Sequence, residues 1–91
     1  MFHVELLPRA RRQWQALEGT RDEAVVKPAL DQLALNPRPG NYWNYVDHGD
    51  FKIIYAGDER DWMLTYEIED ADQIVFVHSI EPRPTRSLDP R

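Results

Sequence analysis

The sequence contains no cysteine, which excludes a disulfide framework and a thiolate metal site and fits a reducing compartment. Long apolar stretches are missing as well. Runs such as Ile74 to Val77 fall far short of the roughly 20 residues that a membrane-spanning helix needs. The opening Met1-Phe2-His3-Val4-Glu5 lacks the basic start and apolar stretch of a secretory signal, which predicts a cytoplasmic protein. Positive charge is scarce: 11 Lys and Arg stand against 16 Asp and Glu, a net charge of −5. A surface built mainly to neutralise phosphates is therefore excluded, and any nucleic-acid site must be local. There is no internal repeat and no interdomain linker. His3 and the run Asp47-His48-Gly49-Asp50 lack metal-ligand spacing, so neither a metal nor a cofactor is expected.

What is present suffices for one small core. Ninety-one residues, 42% of them hydrophobic, make a single compact domain and are too few for two. Phe2, Val4 and Leu6 alternate with His3 and Glu5, the period of a half-buried strand. Pro8 suits the first turn of a helix, and Ala10, Trp14 and Leu17 fall on one face before Gly19 ends it. Thr20 and Glu23 have the spacing of a capping box for a second helix, in which Val26, Leu30 and Leu33 form the apolar stripe. That helix should run to about Leu35, with a kink or local break at Pro28, and Asn36-Pro37-Arg38-Pro39-Gly40 stops the chain. Asn41 to Asp50 shows no clear period and reads as a connecting loop.

Three strand-like runs follow, Phe51 to Ala56, Trp62 to Ile68 and Gln73 to Ile80, separated by turn-rich stretches. The expected fold is α+β: an N-terminal strand and a two-helix hairpin packed on one face of a largely antiparallel four-stranded sheet, with the other face open. Phe51, Ile53 and Tyr55, with Trp62, Leu64, Tyr66 and Ile68, are assigned to the helix side. Lys52, Ile54, Met63, Thr65 and Glu67 are assigned to the open side. Trp14, Leu17, Leu30, Leu33, Leu64 and Tyr66 form the expected core. The domain should occupy residues 1–81, with 82–91 as an extended or disordered tail, since three prolines and three arginines there have little to bury.

The element order, together with Leu33-Ala34-Leu35-Asn36-Pro37-Arg38-Pro39-Gly40, Phe51-Lys52-Ile53, Tyr66-Glu67-Ile68, Ile74-Val75-Phe76-Val77 and Ile80-Glu81-Pro82-Arg83, resembles the RelE/ParE toxins over about the first 85 residues. The resemblance implies the toxin of a bacterial type II toxin-antitoxin module with a cognate antitoxin partner. It implies one of two targets: messenger RNA on the ribosome, cut by an endoribonuclease that needs no cofactor, or DNA gyrase, bound without catalysis. A degenerate member that keeps only antitoxin binding is a further alternative. In RelE-like nucleases a basic, aromatic cradle holds the RNA phosphate, and Lys52 and Arg83 stand at two of its positions. Two other basic positions are filled by Ile54 and Met63, and the late tyrosine has no equivalent in Ser87-Leu88-Asp89. Arg60, in the turn, is a substitute cation. Glu67 and His78 are candidate proton-transfer groups, although each also reads as a structural strand residue.

Overall fold

The computed structural model describes residues 1–84, apart from the side chains of 41 and 42. Residues 85–91, on which most of the expected tail falls, lie outside the described residues. The chain order is β1 (His3–Leu6), α1 (Pro8–Ala16), α2 (Arg21–Leu35), a short 3-10 helix (Gly40–Trp43), β2 (Val46–His48), β3 (Phe51–Ala56), β4 (Trp62–Glu69) and β5 (Ile74–Pro82). The strands make one mixed sheet in the order β1-β5-β4-β3-β2, with β1 parallel to β5 and every other pair antiparallel. The expected α+β architecture is present, with one strand more than the four expected.

That extra strand, β2, lies inside the expected loop. It is only three residues long, too short for a period to show. A turn at Gly49, whose φ of 80° suits a residue without a side chain, folds it back on β3. The helices differ from expectation in two details. Pro28 is exposed and α2 is unbroken around it. The capping box does not close: the Thr20 hydroxyl donates to the Leu17 carbonyl at 2.7 Å, and Glu23 accepts from the Gly19 N–H instead of that of Thr20.

The β3 faces are the reverse of the expected ones. Across the β3–β4 hairpin Lys52 pairs with Tyr66, Ile54 with Leu64 and Ala56 with Trp62, and directly opposed residues share a face. Tyr66 and Leu64 are fully buried under the helices, so Lys52, Ile54 and Ala56 point inward with them. Phe51, Ile53 and Tyr55 take the open face. Both faces of β3 carry apolar residues, and the register with β4 decides between them.

Leu17, Leu33, Leu64 and Tyr66 belong to the buried cluster, joined by Val26, Ile54, Val75, Val77 and Ile80, with Trp14 and Leu30 packed at its margin. The Tyr66 hydroxyl donates to the Pro37 carbonyl at 2.6 Å, which ties the segment after α2 to the middle of the sheet. Burial pushes that phenol well above its usual range. Lys52 spends its charge locally. Its ammonium donates to the Gly49 carbonyl and lies 3.2 Å from Asp47 Oδ1, closing the β2–β3 turn.

Leu33 is wholly buried, so Leu33→Ala should destabilise the protein by roughly 2–5 kcal/mol. The check is a denaturant titration, and an unchanged midpoint would remove Leu33 from the core. The β2–β3 turn makes a separate prediction. The Gly49 N–H first, and Lys52 second, hold the Asp47 carboxyl below its ordinary value of 3.8. The lowered value means stability that is present above 3.8 and is lost as pH falls through the folded-state value. Thermal unfolding followed down through the carboxylate range should show a shallower acid loss in Asp47→Asn than in the parent. Parallel curves would mean that the turn contributes nothing.

Candidate functional site on the open sheet face

Val77 and Ile80 are both buried, although a regular strand would turn residues three apart to opposite faces. The pairing with β4 shows how this is done: Thr65 opposes Ser79 and Tyr66 opposes Val77, leaving His78 as an extra residue between them. His78 is a β-bulge, a device that re-aims one side chain. Its imidazole Nε2 donates to Glu67 Oε1 at 2.7 Å, both side chains being about one-third exposed or slightly more. An Nε2–H tautomer leaves Nδ1 with a free lone pair, and Nδ1 has no hydrogen-bond partner among the described residues.

Phe51 completes the cluster. Its ring meets the imidazole edge to face, with centroids 5.3 Å apart and planes at 68°, and it remains 44% exposed. Phe76, opposite Glu67, and the half-buried Met63 continue the same face. A neutral, apolar-bordered imidazole held by a carboxylate can accept a proton at Nδ1, and the carboxylate then stabilises the imidazolium.

The five candidate residues separate into four places. Glu67 and His78 meet at the centre of the open face. Arg83 is exposed beyond the end of β5, its N–H bonded to the Asp61 carbonyl at 2.7 Å. Five residues of strand put it about 16 Å from His78. Arg60 is exposed in the β3–β4 turn at a φ of 57°. Lys52, expected on the open face, is on the other side, buried and tied to the β2–β3 turn. Ile54, its missing basic neighbour, also points inward, so a cation there would be buried rather than presented. Met63 does stand on the open face, opposite Glu81.

The face is not cationic. Glu5, Glu67 and Glu81 all stand on it, and Arg11 and Arg9 from α1 reach back to Glu5 and Glu81 at 3.6 Å and 3.4 Å. The early arginine cluster is thus partly consumed by local carboxylates. Phe51 escaped the sequence reading because it was placed among inward residues. The signal was available in the hairpin itself: with Ala56 opposite Trp62, even positions can only face even positions.

No protein-family model matches the sequence, and no relative is found among curated proteins. Solved structures do match over nearly the whole chain. The isolated E. coli RelE toxin superimposes with a TM-score of 0.76 at 20% identity, covering 97% of this chain and 90% of that one. The intact E. coli RelBE toxin-antitoxin complex gives 0.74 at 22%, covering 93% and 100%. The RelE-RelB complex of Pyrococcus horikoshii OT3 gives 0.69 at 19%, covering 94% and 98%. Over nearly its whole length, this chain has the RelE toxin fold.

Proposed function

We propose that this protein is the toxin of a bacterial type II toxin-antitoxin module and that it inhibits growth by cleaving messenger RNA on the ribosome. The observation that carries the reading is the Glu67–His78 pair, 2.7 Å apart on the uncovered face of a RelE-like sheet, with an exposed aromatic ring against it. RNA supplies its own nucleophile. His78 Nδ1 takes the proton from a ribose 2′-hydroxyl, the 2′ oxygen bonds to the adjacent phosphorus, and the bond from phosphorus to the 5′ oxygen breaks. The departing oxygen takes a proton from the imidazolium or from solvent.

Glu67 orients the ring and stabilises its charged form, and Arg83 holds a phosphate farther along the strand. Lys52 acts indirectly, by closing the turn that precedes Phe51. Arg60 is a peripheral cation. With Met63 in place of a basic group on the open face, charge stabilisation at the phosphate is weak, and losing one such donor commonly costs about 100- to 1,000-fold in rate. The cognate antitoxin is a second part of the proposal. RelE is paired with RelB in the E. coli and P. horikoshii complexes, and an antitoxin segment that is disordered when free could fold on this chain.

The test is single-turnover cleavage of messenger RNA on programmed ribosomes, beside growth on induced expression with and without the adjacent reading frame. His78→Ala should lower the cleavage rate by about 100- to 10,000-fold, the usual contribution of a positioned acid-base group. Arg83→Ala should raise the messenger concentration needed for half-maximal rate, and Met63→Arg should raise the rate itself. Cleavage that is undiminished in His78→Ala removes the pair from the chemistry. Growth arrest without cleavage would instead assign a noncatalytic target such as DNA gyrase. Survival of cells in both arms would leave an antitoxin-binding member without toxicity.

A further inference from the structure

The start of α1 is fastened to β5 on both sides of the His78 bulge. The Leu7 N–H donates to the Val77 carbonyl at 3.0 Å, and the Ile80 N–H donates at 2.7 Å to Gln13, one helical turn after Arg9. Arg9 therefore stands on a fixed element beside the bulge, and its guanidinium reaches Glu81 on the open face. Glu81 opposes Met63, which opposes Tyr55, so a cation from α1 arrives where the paired strands supply none. The ion pair is loose. It is a single contact of 3.4 Å, with the arginine side chain 62% exposed, whereas charged partners usually approach to about 2.7–2.9 Å. Arg38 provides the contrast, since both of its terminal nitrogens hold Asp70, at 3.1 and 3.0 Å. Glu81 lies three residues past His78, about 10 Å along the strand, and Arg83 lies two residues farther. Held at Glu81, the Arg9 guanidinium falls between the Glu67–His78 pair and Arg83.

We infer that Arg9 exchanges Glu81 for the messenger phosphate next to the reacting one, so that the RNA backbone runs along β5 from His78 toward Arg83. The inference rests on the messenger-cleavage reading above. A guanidinium forks onto two phosphate oxygens as readily as onto a carboxylate. An exposed, single-point ion pair opposes the exchange only weakly. Glu81 is then a resting counter-ion, which keeps the arginine over the open face until RNA arrives. Arg9 holds substrate in place and takes no part in the proton transfer at His78.

The experiment measures binding of the full chain, over a range of salt, to programmed ribosomes whose messenger carries a 2′-deoxynucleotide at the cleavage position and so lacks the attacking oxygen. Arg9→Gln should weaken binding about three- to tenfold and lower the slope of log affinity against log salt by about 0.7, the share of one phosphate on a single strand. Arg9→Lys keeps the charge and should keep the slope; a slope lost equally in both variants overturns the inference. Glu81→Gln should tighten binding by up to about fivefold in the parent and change nothing in the Arg9→Gln background. An equal gain in both backgrounds would mean that Glu81 merely repels RNA, and overturns it. So does an Arg9→Gln loss that persists when the messenger ends before the cleavage position, because Arg9 would then touch the ribosome. Cleavage of the all-ribose messenger by the parent, with binding unaltered in Arg9→Gln, removes this inference and leaves the cleavage reading standing. The expected binding pattern without any cleavage does the reverse.

Discussion

Val77 and Ile80 are three residues apart on one strand, and both lie buried in the core under the helices. A regular strand cannot satisfy both. The extra residue is extruded at His78, and the bulge costs one rung of the β4–β5 ladder, the central pairing of the sheet. That packing constraint places an imidazole on the open face within hydrogen-bond reach of Glu67 and against the ring of Phe51. The site is thus a consequence of how the core is filled. Gln13 reinforces the geometry from α1, its side-chain oxygen accepting the Ile80 N–H at 2.7 Å where β1 no longer flanks β5.

The same economy governs charge. A chain with five excess negative charges and a RelE-like sheet has few cations to spare for a phosphate. Lys52 closes a turn, Arg38 clamps Asp70 at 3.0 Å with a bidentate pair, and Arg9 and Arg11 answer carboxylates of the open face. Arg83 remains exposed and uncommitted to a carboxylate among the described residues. The proposed chemistry on this face therefore leans on proton transfer more than on electrostatic clamping.

The sequence revealed the two helices, three long strands and, of the buried cluster, Leu17, Leu33, Leu64 and Tyr66, because each element repeats its apolar residues over enough turns or alternations for a period to be visible. It did not reveal β2, which is shorter than two alternations. It misassigned β3, whose two faces are almost equally apolar and are distinguished only by pairing across five turn residues, Gly57 to Asp61. Lys52 followed that error: the parity of the strand turns it inward. Glu67 and His78 were legible as titratable strand residues and illegible as a pair. Their meeting depends on a bulge that arises from the long-range packing of Val77 and Ile80, and no local pattern reports it.

The proposed role of the His78 imidazole as base toward the ribose hydroxyl fixes the chemical ends of the product. The most direct measurement is end-group analysis of messenger RNA fragments produced by the purified protein on programmed ribosomes. Attack by the 2′ oxygen predicts a 2′,3′-cyclic phosphate on the upstream fragment and a free 5′-hydroxyl on the downstream one. A 5′-phosphate on the downstream fragment would mean that water is the nucleophile, and would contradict the role assigned to Glu67 and His78.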